Sequence, residues 1–470
     1  MKSYDTIVIG AGVGGLSVAN YQAQQNKTVL VLEKNNSIGG KAAPEIHSGL
    51  TTDPGPSIII LKWIYENFFA DMGKDVGDYL DFKELQHIVT LEYQDQIWNL
   101  PWGDKEFLEY ISVHFPEDYK GFQWLIATCN QLYPKLQQTV YQRTYSSLKD
   151  IFDLPASIHP SALELLKPFS WIVNSKFSHP AIKGLLYDFL TYSGHTADRP
   201  SPTSWFILYT MIHEGVFYPI GGINTIPRAL HAVAREQGVE FALNQEVISV
   251  EQTNHGYTVT TKDNEYSCTH VIANIDPIVT TRLLNQKPVK PKPSFSYATL
   301  MYSYSDEIDI AHHLLHIPKT YEMSYRHLFA HQQTPDDHFV YYLNHPRSSD
   351  STTDPYLFVV APLSTIEPSE GWSSIAQSLD TQVQANLVKH SIRKLKLIDS
   401  KSPQDFETRD NNPEGSLFGS GYSWLGLLPQ PPVASSSNII HVGGAVQPGA
   451  GLPMVLLSGK FASQILDARL

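Results

Sequence analysis

The sequence predicts an α/β fold in which a parallel-sheet domain is interrupted by two insertions, and three observations predict it. Thr6 to Ile9 is a short, β-branched apolar run, the mark of a strand buried on both faces. Gly10, Gly12, Gly14 and Gly15 follow at once and open a helix pattern with a small-residue face at Leu16, Ala19 and Ala23. A second glycine- and proline-rich stretch, GGAVQPGAGLPM, runs from Gly443 to Met454 near the other end of the 470-residue chain.

Each piece of the first unit has a physical reason. Gly10, Gly12 and Gly15 stand in G-x-G-x-x-G spacing, with Gly14 as an extra glycine. Gly10 permits the tight turn, Gly12 lets backbone approach a pyrophosphate, and Gly15 lets the helix lie close to the strand. The helix N-terminus attracts the phosphates. Thr28 to Leu32 is the second strand and ends at Glu33, followed by Lys34. Glu33 is placed to accept hydrogen bonds from a ribose hydroxyl pair, and its charge would repel a 2′-phosphate. The glycine spacing alone is weak. With a strand before it, a helix after it and an acid closing the next strand, it specifies a dinucleotide site.

The next residues choose the dinucleotide. Gly39-Gly40-Lys41 and then Asp53-Pro54-Gly55-Pro56-Ser57 follow. A plain NAD domain has no need of a second glycine pair after its acidic residue. FAD is longer and must pass close to the chain again, so Gly39, Gly40, Lys41, Pro56 and Ser57 are added to the site.

Composition narrows the class. The chain is 42% hydrophobic and 17% charged with 11% aromatic residues, which is globular, and its length suggests two or three domains. A net charge of −13 disfavours a nucleic-acid binder. The two cysteines, Cys129 and Cys268, give neither a disulfide framework nor zinc spacing and are expected as buried thiols in a reducing, cytoplasmic setting. No signal peptide is read at the N-terminus. The apolar stretches SIIILKWIYENFF and SWFILYTMIHEG are short and interrupted, so the chain is expected to be soluble or to rest on a membrane without spanning it.

With GGK and DPGPS following the fingerprint, the sequence resembles the carotenoid desaturase branch of FAD-dependent oxidoreductases, the bacterial phytoene and diapophytoene desaturase type. GVFYPIGGINTIPRALHAVAREQGVEFALNQEVISVE, from Gly215 to Glu251, is similar to that family's central segment. So are VIANIDP from Val271 to Pro277, AHH at Ala311 to His313, and EGSLFG near Glu414. The resemblance covers the whole chain in order, although residues 75–205 match only in being helical. It implies a fold of the glutathione-reductase and amine-oxidase type, with a discontinuous FAD-binding domain at 1–74, 215–285 and 405–470. It implies a helical substrate- or membrane-contacting segment at 75–214 and a sheet segment of the substrate domain at 286–404. It also brings Val247 to the adenine, and Gly443, Gly444, Gly451, Pro453 and Met454 to the isoalloxazine. There the last helix points its N-terminal N–H groups at the flavin edge that gains charge on reduction.

The activity implied is desaturation of a long apolar polyene, with electrons passed on to a quinone or oxygen. A carotenoid isomerase or saturase, a flavin amine oxidase, and a non-catalytic FAD- or lipid-binding protein share the layout and stay open. The flavin accepts the electrons, so the protein must mainly position an apolar chain. SWFILYTMIHEG is the candidate lining of the substrate groove. No metal site is expected, since His312 and His313 adjoin on a strand and point to opposite faces. Asp337 and His345 are weak candidates for an assisting acid, and no residue that would pair with an amine stands out.

Overall fold

A computed structural model describes residues 1–142, 160–194, 196–287, 295–305, 307–326, 328, 339–417 and 439–468. The chain opens with strand Lys2–Ile9, buried from Thr6 onward. It pairs in parallel with Val29–Leu32 on one side and Glu265–Ala273 on the other. Val29–Leu32 is buried at every position, which explains its unbroken apolar run. The sheet runs in the order Val247–Thr253, Gly256–Thr261, Glu265–Ala273, Lys2–Ile9, Val29–Leu32, Glu240–Ala242. Strand Ile440–His441 joins it in parallel beside Ile272 and Ala273. The start, the centre and the end of the chain therefore share one sheet.

Two helices from opposite ends of the sequence pack on this sheet. Ser17 Oγ of helix Val13–Gln24 donates to Leu456 O at 2.7 Å in helix Leu452–Asp467. Gln22 Nε2 donates to Ser463 Oγ at 2.9 Å, and Gln25 Nε2 donates to Asp467 Oδ2 at 2.8 Å. The contacts rise in the same order along both helices, so they run parallel, with their N-termini at one end. Gly459 makes the approach possible, because a Cβ there would lie 2.6 Å from Val18 N. Helix Thr225–Glu236 joins them through Asn20, whose Nδ2 donates to Leu230 O at 2.9 Å. It buries Ile226, Leu230 and Val233, as its pattern predicts, and ends before Gly238 at φ +85°.

A second, mainly antiparallel sheet has the order Leu395–Lys401, Ser296–Tyr304, Tyr356–Leu363, Tyr341–Asn344, His313–Ile317, His87–Tyr93, Gln96–Pro101. The reading of residues 75–214 as helical needs correction at its start. Phe82–Glu84 is a strand, and the hairpin His87–Pro101 extends the second sheet by parallel pairing of Thr90–Tyr93 with Leu314–Ile317. His87–Tyr93 is buried on both faces beyond its first residue, so it lacks the alternation that marks a half-exposed strand. From Asp104 onward the segment is helical: Asp104–His114, Tyr119–Gln138, Phe169–Lys176, Pro180–Ser193 and Pro202–Glu214.

These helices share a continuous apolar core with the two helices on the first sheet, from Phe107, Phe122 and Trp205 to Leu16, Leu452 and Leu456. Trp205 is fully buried and stacks on Phe169 with centroids 4.4 Å apart. SWFILYTMIHEG is thus mostly core, and only Phe206 and Ile207 of its large apolar side chains are half-buried. A smaller core lies where Ile375, Leu379, Val383 and Leu387 of helix Trp372–Lys389 cover the second sheet. Asp337, the loop Pro429 to Ser437 and the end of EGSLFG lie outside the described residues.

Candidate functional site: a glycine-lined cradle at the carboxyl ends of the first sheet

The strand ends define the site. Gly10 N donates to Leu32 O at 2.8 Å, Asn274 N to Ile9 O at 2.8 Å, and Gly39 N to Ala11 O at 2.8 Å. The loops after three neighbouring strands thus meet at their carboxyl ends, where open α/β sheets bind ligands. Gly10 turns at φ +99°, and Gly12 caps helix Val13–Gln24. The second glycine pair lies against the first loop: Gly39 forms a parallel bridge with Gly12, and a Cβ on Gly40 would stand 3.3 Å from Gly12 Cα. Gly15 faces Gly10 O so closely that no side chain fits, as helix-on-strand packing requires.

Glu33 is buried, with both carboxylate oxygens oriented by backbone. Oε2 accepts from Ala11 N at 2.8 Å and Oε1 from Asn35 N at 2.9 Å. Each oxygen keeps lone pairs for a ribose hydroxyl. Glu33 O also accepts from Gln245 N at 2.8 Å, which ties the acid to the entry of the strand that starts at the buried Val247. Lys34 follows, half-buried.

The C-terminal turn closes the cradle. Gly443, at φ +108°, donates its N–H to Ser458 Oγ at 2.9 Å, and Gly444 packs on Ala450. Gly451 caps the last helix at φ +98°, with Leu452 and Pro453 buried and Met454 half-buried in its first turn. Neither this helix nor Val13–Gln24 has a side-chain cap or an acidic residue in its first turn. Two parallel helices therefore present uncapped N–H groups and positive ends side by side. That donor set suits an anionic diphosphate and an electron-accepting ring together.

Lys41 Nζ donates to Leu417 O at 2.7 Å, and burial pulls its pKa below the usual lysine range despite the nearby Asp410 and Asp276. Gly55 packs directly on Lys41 O. Pro56 and Ser57 continue the loop, where Ser57 O accepts from His312 Nε2 at 3.0 Å. Sequence reasoning quoted Asp53 but gave it no role. Its carboxylate accepts from Ile223 N at 2.7 Å, Asn224 N at 3.3 Å and Asn224 Nδ2 at 3.0 Å. Burial raises its pKa. Asp53 thus fastens DPGPS to the PIGGIN turn that opens helix Thr225–Glu236, and only the fold brings the two motifs together.

His312 and His313 do face opposite ways. His312 lies against Tyr218 at 4.6 Å and is held neutral by burial, with a pKa of about 4, while His313 stacks on Tyr342 at 4.4 Å with a pKa of about 3. His345 donates from Nδ1 to Ile310 O at 3.0 Å and accepts at Nε2 from Tyr304 O–H at 2.7 Å. Both nitrogens are engaged, so a proton-transfer role would first have to break one of these bonds.

An acid the sequence reading overlooked is Asp188, fully buried in helix Pro180–Ser193 among aromatic residues. It accepts from Tyr325 O–H at 3.1 Å, with Tyr192 and Tyr342 beside it, and burial lifts its pKa to about 7. Its flanks, LLY and FLTY, read as ordinary helix core. The signal was a charged residue on a helix whose neighbours are mostly apolar or aromatic.

Residues 8–73 match the family described as NAD(P)-binding Rossmann-like domain, and residues 173–303 match flavin containing amine oxidoreductase. The chain is 26% identical to carotenoid 3,4-desaturase of Haloarcula japonica, over 99% of this chain and 98% of that protein. It is 24% identical to 4,4'-diaponeurosporene oxygenase of Staphylococcus aureus, over 98% of each. Among solved structures, an oxidoreductase from Methanosarcina mazei superposes with a TM-score of 0.63 at 15% identity, covering 98% of this chain and 100% of the other. Cyclohexylamine oxidase from Brevibacterium oxydans gives 0.61 at 14% identity, over 99% of both. The two structures share the fold. The cradle's two uncapped helix ends, its glycines and Glu33 fit FAD, which is the cofactor. With fold, site and full-length relatives in agreement, the chain is a flavin-containing oxidoreductase whose curated relatives are consistent with the carotenoid desaturase family.

Proposed function

We propose that this enzyme dehydrogenates a long apolar polyene held between the FAD cradle and the helical layer. The observation that carries the reading is the end-to-end likeness to two proteins whose names place them on carotenoids, reaching through the helical layer as well as the cofactor domain. FAD, when bound, supplies a two-electron acceptor. The chain's own contribution is orientation and exclusion of water. Helix Leu452–Asp467 offers its positive end where charge develops, and the aromatic layer gives a dry surface for a chain without polar handles. Electrons then leave to a quinone or oxygen.

The substrate class also argues for lipid contact. Among the described residues no helix is long and apolar enough to cross a membrane. Leu163, Leu166 and Trp171 are nevertheless half-exposed together, and Lys167 Nζ lies 4.1 Å from the Trp171 ring centroid. Aromatic, aliphatic and cationic side chains grouped in this way suit an interface between headgroups and acyl chains.

One observation favours a second reading. Asp188 within its tyrosine nest resembles the surroundings that hold an organic cation, which would suit an amine substrate. Co-expression with a pathway that makes a colourless polyene separates the two. The polyene reading expects products with more conjugated double bonds and a red-shifted pigment. Unchanged pigment, with hydrogen peroxide released from an amine panel, would replace it by the second reading.

A further inference from the structure

The glycines of the fingerprint loop are ordinarily explained by the closeness of the diphosphate. In this protein they also face Asn274, at the carboxyl end of strand Glu265–Ala273. A Cβ on Gly12 would stand 2.7 Å from Asn274 Nδ2, and one on Gly14 would stand 2.6 Å from Asn274 Oδ1 and 3.1 Å from Gly443 N. A Cβ on Gly10 would lie 2.9 Å from Asn274 O. From the other side, a Cβ on Gly443 would be 3.5 Å from the same Oδ1. The carboxamide therefore sits between the first glycine loop and the C-terminal glycine turn. Its Oδ1 is buried yet has no hydrogen-bond partner among the described residues. A buried amide oxygen left unpaired costs about 1–3 kcal/mol, so a group that completes it is expected.

We propose that Asn274 is a cofactor-binding residue: a wedge that joins the two glycine segments and offers its carboxamide to the ribityl–diphosphate stretch of FAD. That stretch carries both hydroxyl donors and phosphate acceptors, which the C=O and NH2 of one amide can meet together. The inference concerns the FAD site alone and does not depend on which substrate the enzyme oxidises.

The test is a double-substitution cycle read by FAD content after gel filtration and by FAD dissociation constant, not by turnover. Gly12→Ala is expected to weaken FAD binding by roughly 100-fold. Asn274→Ala alone should weaken it by roughly 10-fold, the scale of one or two hydrogen bonds. For Gly12 the atoms that a Cβ would meet all belong to Asn274. Gly12→Ala combined with Asn274→Ala should therefore bind FAD clearly better than the two single losses taken together would give. A double variant as weak as the sum of the two would overturn the wedge. Asn274→Asp keeps the shape, brings charge towards the diphosphate and should weaken FAD by more than Asn274→Ala. Wild-type FAD affinity in Asn274→Asp would overturn the ligand role. Thermal melts of each apoprotein separate these effects from misfolding, since Asn274→Asp should melt like the wild type.

Discussion

The two sheets of this molecule tolerate change by different rules. The first is built on contact with backbone: Gly15 against Gly10, Gly55 against Lys41 and Gly459 against Val18 leave no room for one carbon. The second is built on side-chain volume and buried polar nodes, such as Asp188 with Tyr325, and Glu92 with His316 and His390. A cofactor that must meet backbone N–H groups demands the first kind of construction. An apolar substrate demands only the second, which many sequences satisfy.

The sharpest way to break this contrast is Gly459→Val. It drives a branched side chain into Ser17 and Val18 and should separate the two parallel helices, leaving little folded protein by circular dichroism. A one-methylene enlargement in the second core, Val383→Ile, should cost about 1–3 kcal/mol and leave FAD bound. Equal damage from both would erase the distinction.

Next in size is Glu33→Ala, expected to lower FAD affinity by roughly 100-fold through loss of charge-assisted hydrogen bonds to the ribose. It should also loosen the turn at Ala11 and Asn35, seen as faster amide exchange there. Asp53→Ala should come third. It removes three acceptor contacts at the start of helix Thr225–Glu236, and about 2 kcal/mol of stability by urea unfolding is the expected loss.

The pH slopes of the two buried acids in the second region have opposite signs. Burial alone would raise Glu92, but hydrogen bonds from His316 and His390 outweigh it and hold its pKa at about 2, against 4.5 unfolded. Its contribution is present above pH 4.5 and is lost as pH falls towards 2. Asp188 is raised by burial to about 7 from 3.8, so it opposes folding progressively as pH rises from about 4 to 7. Asp188→Asn should flatten that second slope, by no more than about 4 kcal/mol, while Glu92→Gln should flatten only the acid side.

What the sequence disclosed follows the same contrast. Positions fixed by backbone contact leave a glycine in the chain, so the close packing at Gly10, Gly15 and the Gly39–Gly40 pair was legible in the sequence. Positions fixed by side-chain partners across the fold leave no local mark. Asp53 looks like any turn aspartate until Ile223 and Asn224 are beside it, and Asn274 looks like a strand end until the glycines of two separate segments face it. Strand His87–Tyr93 was lost inside a helical reading because burial on both faces erased its period. Trp205 looked like a groove wall because aromatic richness is the same in a core and in a tunnel.

The central claim, an FAD enzyme that takes electrons from a polyene, is tested most directly by mixing purified, yellow holoprotein with a polyene in liposomes without oxygen. The account predicts that the flavin's visible absorbance bleaches in step with a red shift of the polyene, one added double bond for each flavin reduced. An oxidised flavin that ignores the polyene but bleaches with an amine would contradict it.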